Sequence, residues 1–199
     1  MAFDLLTLLG KFKNLSNRET DAALFRTKVP SVGPDAYLNI VYKPAAAQVR
    51  TELARELQFS SSLSEFYQCW NGARFFVGAL SVYGCLPVNY QIVRSDPLKL
   101  LPFSIREVNR EFSTQMKERD LVCVGSYSYD RSVVCICRKS QSVTCFVGKD
   151  FSKERQSWSS LDHWLSDELL RLSALFDESG DRLVEKDKLL PGLEPWRAS

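Results

Sequence analysis

The stretch that most constrains the fold of this chain runs from Ser62 to Gly84. Its first part carries apolar side chains at helical spacing, namely Leu63, Phe66, Tyr67 and Trp70. Ser62 and Glu65 stand in capping-box spacing, which marks the start of a helix. Asn71-Gly72 follows at once, and both residues tolerate the left-handed backbone that ends a helix. The run from Phe75 to Tyr83 is hydrophobic, so the stretch predicts a helix, a stop and a strand.

Three further helices are predicted from apolar periodicity and start signals. Pro44 precedes a helix with its apolar residues four apart, at Val49, Leu53 and Leu57. Ser104 and Glu107 repeat the capping-box spacing and open a helix with one apolar side, formed by Ile105, Val108, Phe112 and Met116. The last helix begins near Ser159/Ser160 and ends at about Phe176. Its apolar stripe is formed by Leu161, Trp164, Leu165, Leu169, Leu172, Leu175 and Phe176.

An antiparallel meander is predicted in the second half of the chain. Its three strands alternate in polarity or are β-branched, and they lie at residues 121–127, 133–138 and 143–147. The connections between them have hairpin length. Tyr37–Tyr42 fits either a short strand or a helical turn. Residues 14–34 and the segment from Gly148 to Trp158 are polar, and we expect connections there.

Composition places the chain among ordinary globular proteins. It has 199 residues, of which 45% are hydrophobic and 25% charged, so one domain with a substantial core is expected. The net charge is +2, and basic residues alternate with acidic ones. A nucleic-acid-binding protein would concentrate basic residues on one face, so we expect no nucleic-acid partner.

The N-terminal segment, M-A-F-D-L-L-T-L-L-G-K-F-K, predicts an amphipathic helix that packs on the domain. An acid at Asp4 and the absence of a basic region before the apolar run argue against a signal peptide. A membrane-surface anchor is the alternative for this segment. No stretch has the length needed to span a bilayer, so we expect a cytoplasmic protein with no membrane partner.

The sequence offers little chemistry for catalysis. His163 is the only histidine, and its position beside Asp162 near a helix start favours a surface side chain over a catalytic base. The six cysteines are expected to be reduced core residues, with a metal site as a remote alternative. The glycines are isolated and form no phosphate loop. We therefore predict no enzymatic activity, no catalytic residues, no metal and no cofactor.

A protein-contact surface is the remaining kind of site. The turn from Tyr127 to Arg131 predicts contact residues at Tyr127, Tyr129, Asp130 and Arg131, because tyrosine and arginine concentrate in interface hot spots. A plain hairpin turn with surface tyrosines is the alternative. Trp70 and Trp164 lie on apolar helix faces and are expected in the core, whereas Trp158 and Trp196 are freer to contact a partner.

The ordered series of these elements resembles the SUKH superfamily, which is named partly for the Smi/Knr-type fungal cell-wall-assembly regulators. The matching pieces are the helix at 49–59, L-S-E-F-Y-Q-C-W-N-G-A, L-S-V-Y-G, L-V-C-V-G-S-Y and W-S-S-L-D-H-W-L-S-D-E-L. A Leu-Pro that often precedes the N-G helix in the family is replaced here by Ser61-Ser62-Leu63-Ser64. We accordingly divide the chain into an N-terminal helix and connection (1–43), a SUKH domain (44–176) and a C-terminal tail packed on it (177–199).

The resemblance implies an α+β fold with a central, largely antiparallel sheet of about five to six strands flanked by helices. It also implies a cytoplasmic immunity protein that binds and neutralises a polymorphic toxin. The alternative is a structural or regulatory interaction domain of the same fold without a toxin partner. A hydrolase dependent on His163 is a third hypothesis. The partner, the binding face and the oligomeric state are left open by the sequence.

Overall fold

The computed structural model describes residues 16–19, 23–27, 37–76, 78–88, 101–128, 130–148, 150–178 and 183. Within these residues the protein has an α+β architecture, as the sequence predicts, with one antiparallel sheet and five helices. The strands are β1 (Ser16–Glu19), β2 (Ala23–Thr27), β3 (Tyr37–Tyr42), β4 (Ala73–Phe75), β5 (Leu80–Val82), β6 (Leu121–Tyr127), β7 (Val133–Cys137), β8 (Val143–Phe146) and β9 (Glu154–Trp158). The helices are α1 (Ala47–Leu57), α2 (Ser61–Cys69), α3 (Ile105–Glu111), α4 (Ser113–Glu118) and α5 (Leu161–Ser173).

The strands lie side by side in the order in which the chain makes them, from β1 to β9. Every neighbouring pair is antiparallel. The predicted meander is confirmed as β6, β7 and β8, with ends that agree to within a residue. The segment 37–42, for which the sequence leaves two possibilities, is strand β3.

The sheet has more strands than the five to six predicted. The run from Phe75 to Tyr83 is not one strand, because it forms the hairpin of β4 and β5, in whose turn the Ala79 N–H donates to the Phe76 carbonyl at 3.1 Å. Residues 14–34 contain strands β1 and β2, and the connection before Trp158 contains β9. The sequences of β1 and β9 are polar, as is usual for strands at the edge of a sheet, so their apolar periodicity is weak.

Serine side chains start three of the helices. Ser104 Oγ accepts a hydrogen bond from the Glu107 N–H at 3.3 Å, which confirms the predicted start of α3. Ser160 Oγ accepts from the His163 N–H at 3.1 Å and starts α5. The predicted start of α2 is wrong by two residues, because Ser60 rather than Ser62 is the cap and accepts from the Leu63 N–H.

The helix predicted over residues 105–116 is two short helices, α3 and α4, which meet at Phe112. Its predicted apolar side is nevertheless the packed side, since Ile105, Phe112 and Met116 are buried. The apolar stripe of α5 is likewise entirely buried. These stripes anchor the helices on the sheet, and burial of each large apolar side chain stabilises the fold by about 1.5–3 kcal/mol.

Two asparagine side chains complete the sheet where strands end. Asn109 of α3 donates to the Cys123 carbonyl at 2.8 Å and accepts from the Cys123 N–H at 2.9 Å. Asn71 makes the same pair of hydrogen bonds with the backbone of Cys85, at 3.2 and 2.6 Å. Each buried amide therefore satisfies one backbone N–H and one C=O that would otherwise lack partners.

The predicted N-terminal helix and most of the predicted C-terminal tail lie outside the described residues. In the tail, the Leu183 N–H donates to the Leu175 carbonyl at 3.0 Å. The domain boundaries at residues 43 and 176 stay predictions. The helices that are described are all too short or too polar to cross a bilayer.

Candidate functional site

The two faces of the sheet differ at strands β4 to β7. Register places Arg74, Ser81, Ser126 and Val133 beside one another on one side, which we call the cleft face. The neighbouring row of Ala73, Val82, Gly125 and Val134 lies on the other side, the covered face, against which α5 packs. Because serine is small, the middle of the cleft-face row leaves room above the sheet.

A cleft of about 380 Å³ occupies this room, and we call it the arginine–aromatic cleft. Its floor includes Ser81, Ser126 and Tyr83. Its wall comes from the segment around α3 and is formed by Phe103, Val108, Glu111 and Phe112. The cleft is built from three parts of the chain that are far apart in sequence.

Phe103 is the most exposed aromatic side chain of the cleft, at 53% of its surface. Its ring meets the Tyr83 ring edge to face, with 6.3 Å between centroids and an interplanar angle of 90°. Tyr83 is itself buried, and burial raises the pKa of its hydroxyl well above the usual range. The exposed Phe103 ring thus packs on a buried, neutral tyrosine.

The Arg74 guanidinium lies over the Phe103 ring, with 5.7 Å from Cζ to the ring centroid. Its Nε is buried. Near Arg74 Nη2 is Gly78, where the Cβ of a substituted residue would lie 3.2 Å from that atom. Gly78 has a φ of +80°, so the backbone there also favours glycine. The guanidinium therefore lies next to both Phe103 and Gly78.

Tyr42 lies near Arg74 on the same side of the sheet. Burial raises the pKa of Tyr42 to about 12, and the positive charge of Arg74 opposes this rise. A hydrogen bond between the buried Tyr42 hydroxyl and the Arg74 side chain opposes the rise as well. Arg74 forms no ion pair with any acidic side chain in the part of the chain that is described.

Arg131 lies at the rim of the cleft, and its side chain is exposed. Its φ is +61°, a left-handed conformation that is costly for a residue with a side chain. The turn that carries it is fixed on both sides. Asp130 accepts from the Ser132 N–H at 2.9 Å and pairs with Arg155 at 2.6 Å, and the Ser128 N–H donates to the Ala79 carbonyl at 3.1 Å.

The four predicted contact residues have different surroundings. Arg131 contributes to the cleft, as described. Tyr127 is 1% exposed, and its hydroxyl accepts from Trp164 Nε1 at 3.1 Å, so its ring is part of the core. Asp130 is half-buried in its pair with Arg155. Tyr129 lies outside the described residues. Sequence reasoning missed Arg74 and Phe103, because neither stands near the turn in sequence.

Other residues that the sequence singled out make contacts within the protein itself. His163 is exposed at the start of α5, where its Nδ1 lies 3.1 Å from Ser159 Oγ. The prediction that Trp158 is free for a partner is wrong, because Trp158 is 3% exposed and donates to Asp167 at 3.0 Å. The acidic pair Glu52 and Glu56 converges on buried Arg106, at 2.6 and 2.8 Å, and thereby joins α1 to α3.

The six cysteines are all free thiols. Four of them are buried, namely Cys85, Cys123, Cys135 and Cys145, as predicted for core residues. Cys69 is exposed and Cys137 is half-buried. Among the described residues, no three His, Cys, Asp or Glu side chains are grouped closely enough to hold a metal ion.

A second groove of about 500 Å³ lies between α1 and α2. Arg50 lines it together with Phe59 and Tyr67. Here the arginine is used for packing, since its Nη1 donates to the Tyr67 carbonyl at 3.2 Å. The Phe59 and Tyr67 rings stack at 5.2 Å. The Arg50 Nε is buried without a hydrogen-bond partner among the described residues, as the Arg74 Nε is, so this feature does not distinguish the groove from the arginine–aromatic cleft.

No family model matches this sequence, and no curated protein or solved structure matches it at a significant level. The SUKH resemblance therefore stays a prediction, and the α+β architecture rests on the geometry described above. Functional reasoning starts from the cleft itself.

Proposed function

We propose that this chain is a non-enzymatic protein-binding module, and that the arginine–aromatic cleft is its contact surface. The observation that carries the proposal is the half-exposed Phe103 ring in a cleft that Arg74 and Arg131 also line, since neither arginine forms an ion pair among the described residues. Aromatic residues and arginine supply most of the energetically important contacts in protein interfaces.

The local geometry favours binding over a role in folding. The contact of the Phe103 ring with the Tyr83 ring favours its observed orientation, which reduces the conformational entropy lost when a partner packs on it. The strained backbone of Arg131 is maintained by the hydrogen bonds of its turn, which fix where the side chain leaves the surface. Pre-organised contacts of this kind increase affinity.

The resemblance to SUKH proteins supports a more specific proposal, in which the partner is a polymorphic toxin and the chain is its cytoplasmic immunity protein. An antiparallel meander with flanking helices agrees with that family's fold at a coarse level. Among the described residues that line the cleft, two are arginines and one is a glutamate, which favours an acidic surface of the partner. A nuclease has a basic substrate cleft, and an inhibitor that fills it is expected to be acidic. The arginine–aromatic cleft therefore does not suit a nuclease partner.

The alternative is a structural or regulatory interaction domain of the same fold with no toxin partner. It uses the same cleft, and the same two arginines would meet an acidic segment of an ordinary cellular protein. The two versions differ in whether the chain protects a cell from a toxin.

The test is co-expression of the chain with a toxin domain encoded beside its gene, followed by calorimetric titration of the purified pair. We expect protection of the cells and a one-to-one complex. Phe103→Ala should weaken the complex by about 30-fold or more, the loss of an interface hot spot of about 2 kcal/mol.

Leu170→Ala is the matched control, because Leu170 is 64% exposed on α5, the helix of the covered face. It should change the affinity by less than about threefold, as is usual for a residue outside the contact. Equal effects of the two variants would show that the cleft is not the contact surface. Complex formation without protection would favour the regulatory alternative.

A further inference from the structure

We infer that Cys123 and Cys135 are a redox-sensitive pair, which a low-molecular-weight disulfide such as oxidised glutathione converts into a cross-strand disulfide between β6 and β7. Both residues are free thiols and fully buried. Three features support the inference: the strand register, the hydrogen-bonding pattern of the two backbones and the contact between the two thiols. The inference does not depend on the proposed function.

The strand register places Cys123 directly opposite Cys135. The other strand cysteines, Cys137 and Cys145, have no cysteine opposite them in the registers of the described strands. Opposed residues of neighbouring antiparallel strands extend their side chains on the same face of the sheet. The register therefore brings these two thiols together and leaves the other strand thiols without such a neighbour.

The pair occupies a non-hydrogen-bonded position of the ladder between β6 and β7. The N–H and C=O of Cys123 point away from β7, since both bond to the Asn109 side chain. On β7, the Cys137 N–H donates to the Ser142 carbonyl at 2.9 Å, towards β8, and Cys135, two residues earlier, has the same orientation. Opposed Cα atoms at such a position are about 4.5 Å apart, within the range of about 4.4–6.8 Å that disulfides span.

The two thiols are already in contact. A side-chain hydrogen bond joins Cys135 to Cys123. The Cys123 thiol donates to the Gly125 carbonyl, with 3.9 Å between sulfur and oxygen. Formation of the disulfide therefore requires no change of register. The bond would join two strands that line the arginine–aromatic cleft, β6 through Ser126 and β7 through Val133.

The reaction consists of two thiol–disulfide exchanges. The thiolate of one cysteine attacks a sulfur of oxidised glutathione, so a mixed disulfide forms and one glutathione leaves as a thiolate, which takes up the proton of the protein thiol. The thiolate of the second cysteine then attacks the protein sulfur of the mixed disulfide. The bond between Cys123 and Cys135 forms, and the second glutathione leaves and takes up the second proton. Two protein thiols are oxidised, and one glutathione disulfide is reduced to two thiols.

The reaction is slow while the two strands are packed. Burial and the neighbouring Cys123 raise the pKa of the Cys135 thiol, so little thiolate is present. Glutathione reaches the pair only when β6 and β7 separate locally. The irregular register of β6 between Cys123 and Gly125 interrupts the ladder beside the pair and favours such opening. We therefore expect the disulfide to form as the chain folds or when these strands open.

The experiment equilibrates the full chain in a buffer of reduced and oxidised glutathione, with urea just below the midpoint of unfolding so that the chain opens repeatedly. Free thiols are then alkylated, and tryptic peptides are mapped by mass spectrometry without reduction. We expect the main link to join the peptide of Cys123 to the peptide 132–138, with fragmentation that places the bond at Cys135 rather than Cys137. The linked chain should unfold at a temperature about 5 °C or more above that of the chain treated with dithiothreitol.

Two variants of β7 separate the pair from its neighbour. Cys135→Ala removes one partner, so we expect the link to Cys123 to be lost and the unfolding temperature to stop responding to oxidised glutathione. Cys137→Ala, two residues further along the same strand, is the matched control and should keep both the link and the rise in unfolding temperature. Urea unfolding under reducing conditions checks that both variants are folded.

Three results would overturn the inference: a Cys123–Cys135 pair that stays unlinked at equilibrium, a link that persists in Cys135→Ala, or a link that lowers the unfolding temperature. The first and the third are measured on the unsubstituted chain, so the test does not require the variant to fold. Each of them leaves the proposed function unaffected, because none measures contact between the cleft and a partner.

Discussion

The two faces of strands β4 to β7 are formed by adjacent residues of the same strands. One face is covered by a helix, whereas the other is partly exposed. On the covered face, the Trp164 indole N–H donates to Tyr127, and buried Glu168 pairs with Arg171 at 2.5 Å. On the cleft face, Arg74 lies over the Phe103 ring, and Phe103 is half exposed.

We expect the covered face to contribute mainly to stability and the cleft face mainly to binding. A long helix with a complete apolar stripe covers one face, satisfies its polar groups and supplies stability. The shorter helix α3 covers only part of the other face, so Phe103 and Arg131 stay exposed there. Substitutions on the covered face should therefore lower the free energy of unfolding, and substitutions on the cleft face should change binding.

The largest effect is expected from Trp164→Ala, which removes the largest fully buried side chain. It should lower the free energy of unfolding by about 3–5 kcal/mol, because a cavity remains and Tyr127 loses a donor. Denaturant unfolding measures it. Phe103→Ala should change the same quantity by less than about 1 kcal/mol, in line with other exposed substitutions. A similar loss in both variants would remove the distinction between the faces.

A sharper comparison uses two adjacent residues of β6. A Cβ at Gly125 would lie 2.7 Å from the Ser81 carbonyl oxygen and 3.0 Å from the Trp164 ring. Gly125→Ala should therefore destabilise the protein by about 1–3 kcal/mol through overpacking. Ser126→Ala, one residue further and on the cleft face, should cost less, about 1 kcal/mol, because it removes only the hydrogen bond between Ser126 and Tyr83. Thermal unfolding measures the stability of both variants. An unchanged stability of Gly125→Ala would contradict the close packing of α5 on β6.

Alkaline pH should lower the free energy of unfolding through a buried thiol on the covered face. Register places Cys145 beside Val134 on that face, and burial raises the pKa of its thiol from 9.0 to about 12. Between pH 9 and 12 the unfolded chain loses this proton while the folded chain keeps it, so the free energy of unfolding falls as pH rises.

Cys145→Ala should reduce the slope of stability against pH in this range, as measured by denaturant titrations at several pH values. Cys137→Ala is the control, because hydrogen bonding with Ser140 lowers the pKa of its thiol. An unchanged slope in Cys145→Ala would show that this thiol ionises equally in both states.

The last prediction changes no residue and concerns which thiols react with a labelling reagent in the native protein. Cys69 is exposed and Cys137 is half-buried with a lowered pKa, so these two thiols should react rapidly with a disulfide reagent. The four buried thiols should react only on unfolding. Mass spectrometry identifies the labelled residues, and fast labelling of Cys145 would contradict its burial beneath α5.

Much of the architecture could be predicted because its signals are local. Ser104 and Ser160 start helices through hydrogen bonds to residues three positions later, and the stripe of α5 repeats within one segment. The hairpin of β4 and β5 was hidden because residues on both faces are buried there, which removes the alternation of polarity. The polar strand β9 was missed because only one of its edges is paired.

The cleft could not be predicted, because its parts come together only through tertiary structure. Arg74, Phe103 and Arg131 are far apart in the sequence and meet through strand register and the packing of α3. Arg131 was found through the composition of its turn. A buried Tyr127 in the same turn illustrates why composition alone does not distinguish an interface residue from a core residue.

The strand order, identical to the chain order, bears on how the molecule assembles. Each strand joins the one made just before it, so a chain leaving the ribosome can extend its sheet at the growing edge without waiting for a distant segment. Only the helical insertions before β4 and β6 require longer loops to close. The cleft lies beside the second insertion, so it forms only once synthesis has passed β7 and α3 has docked.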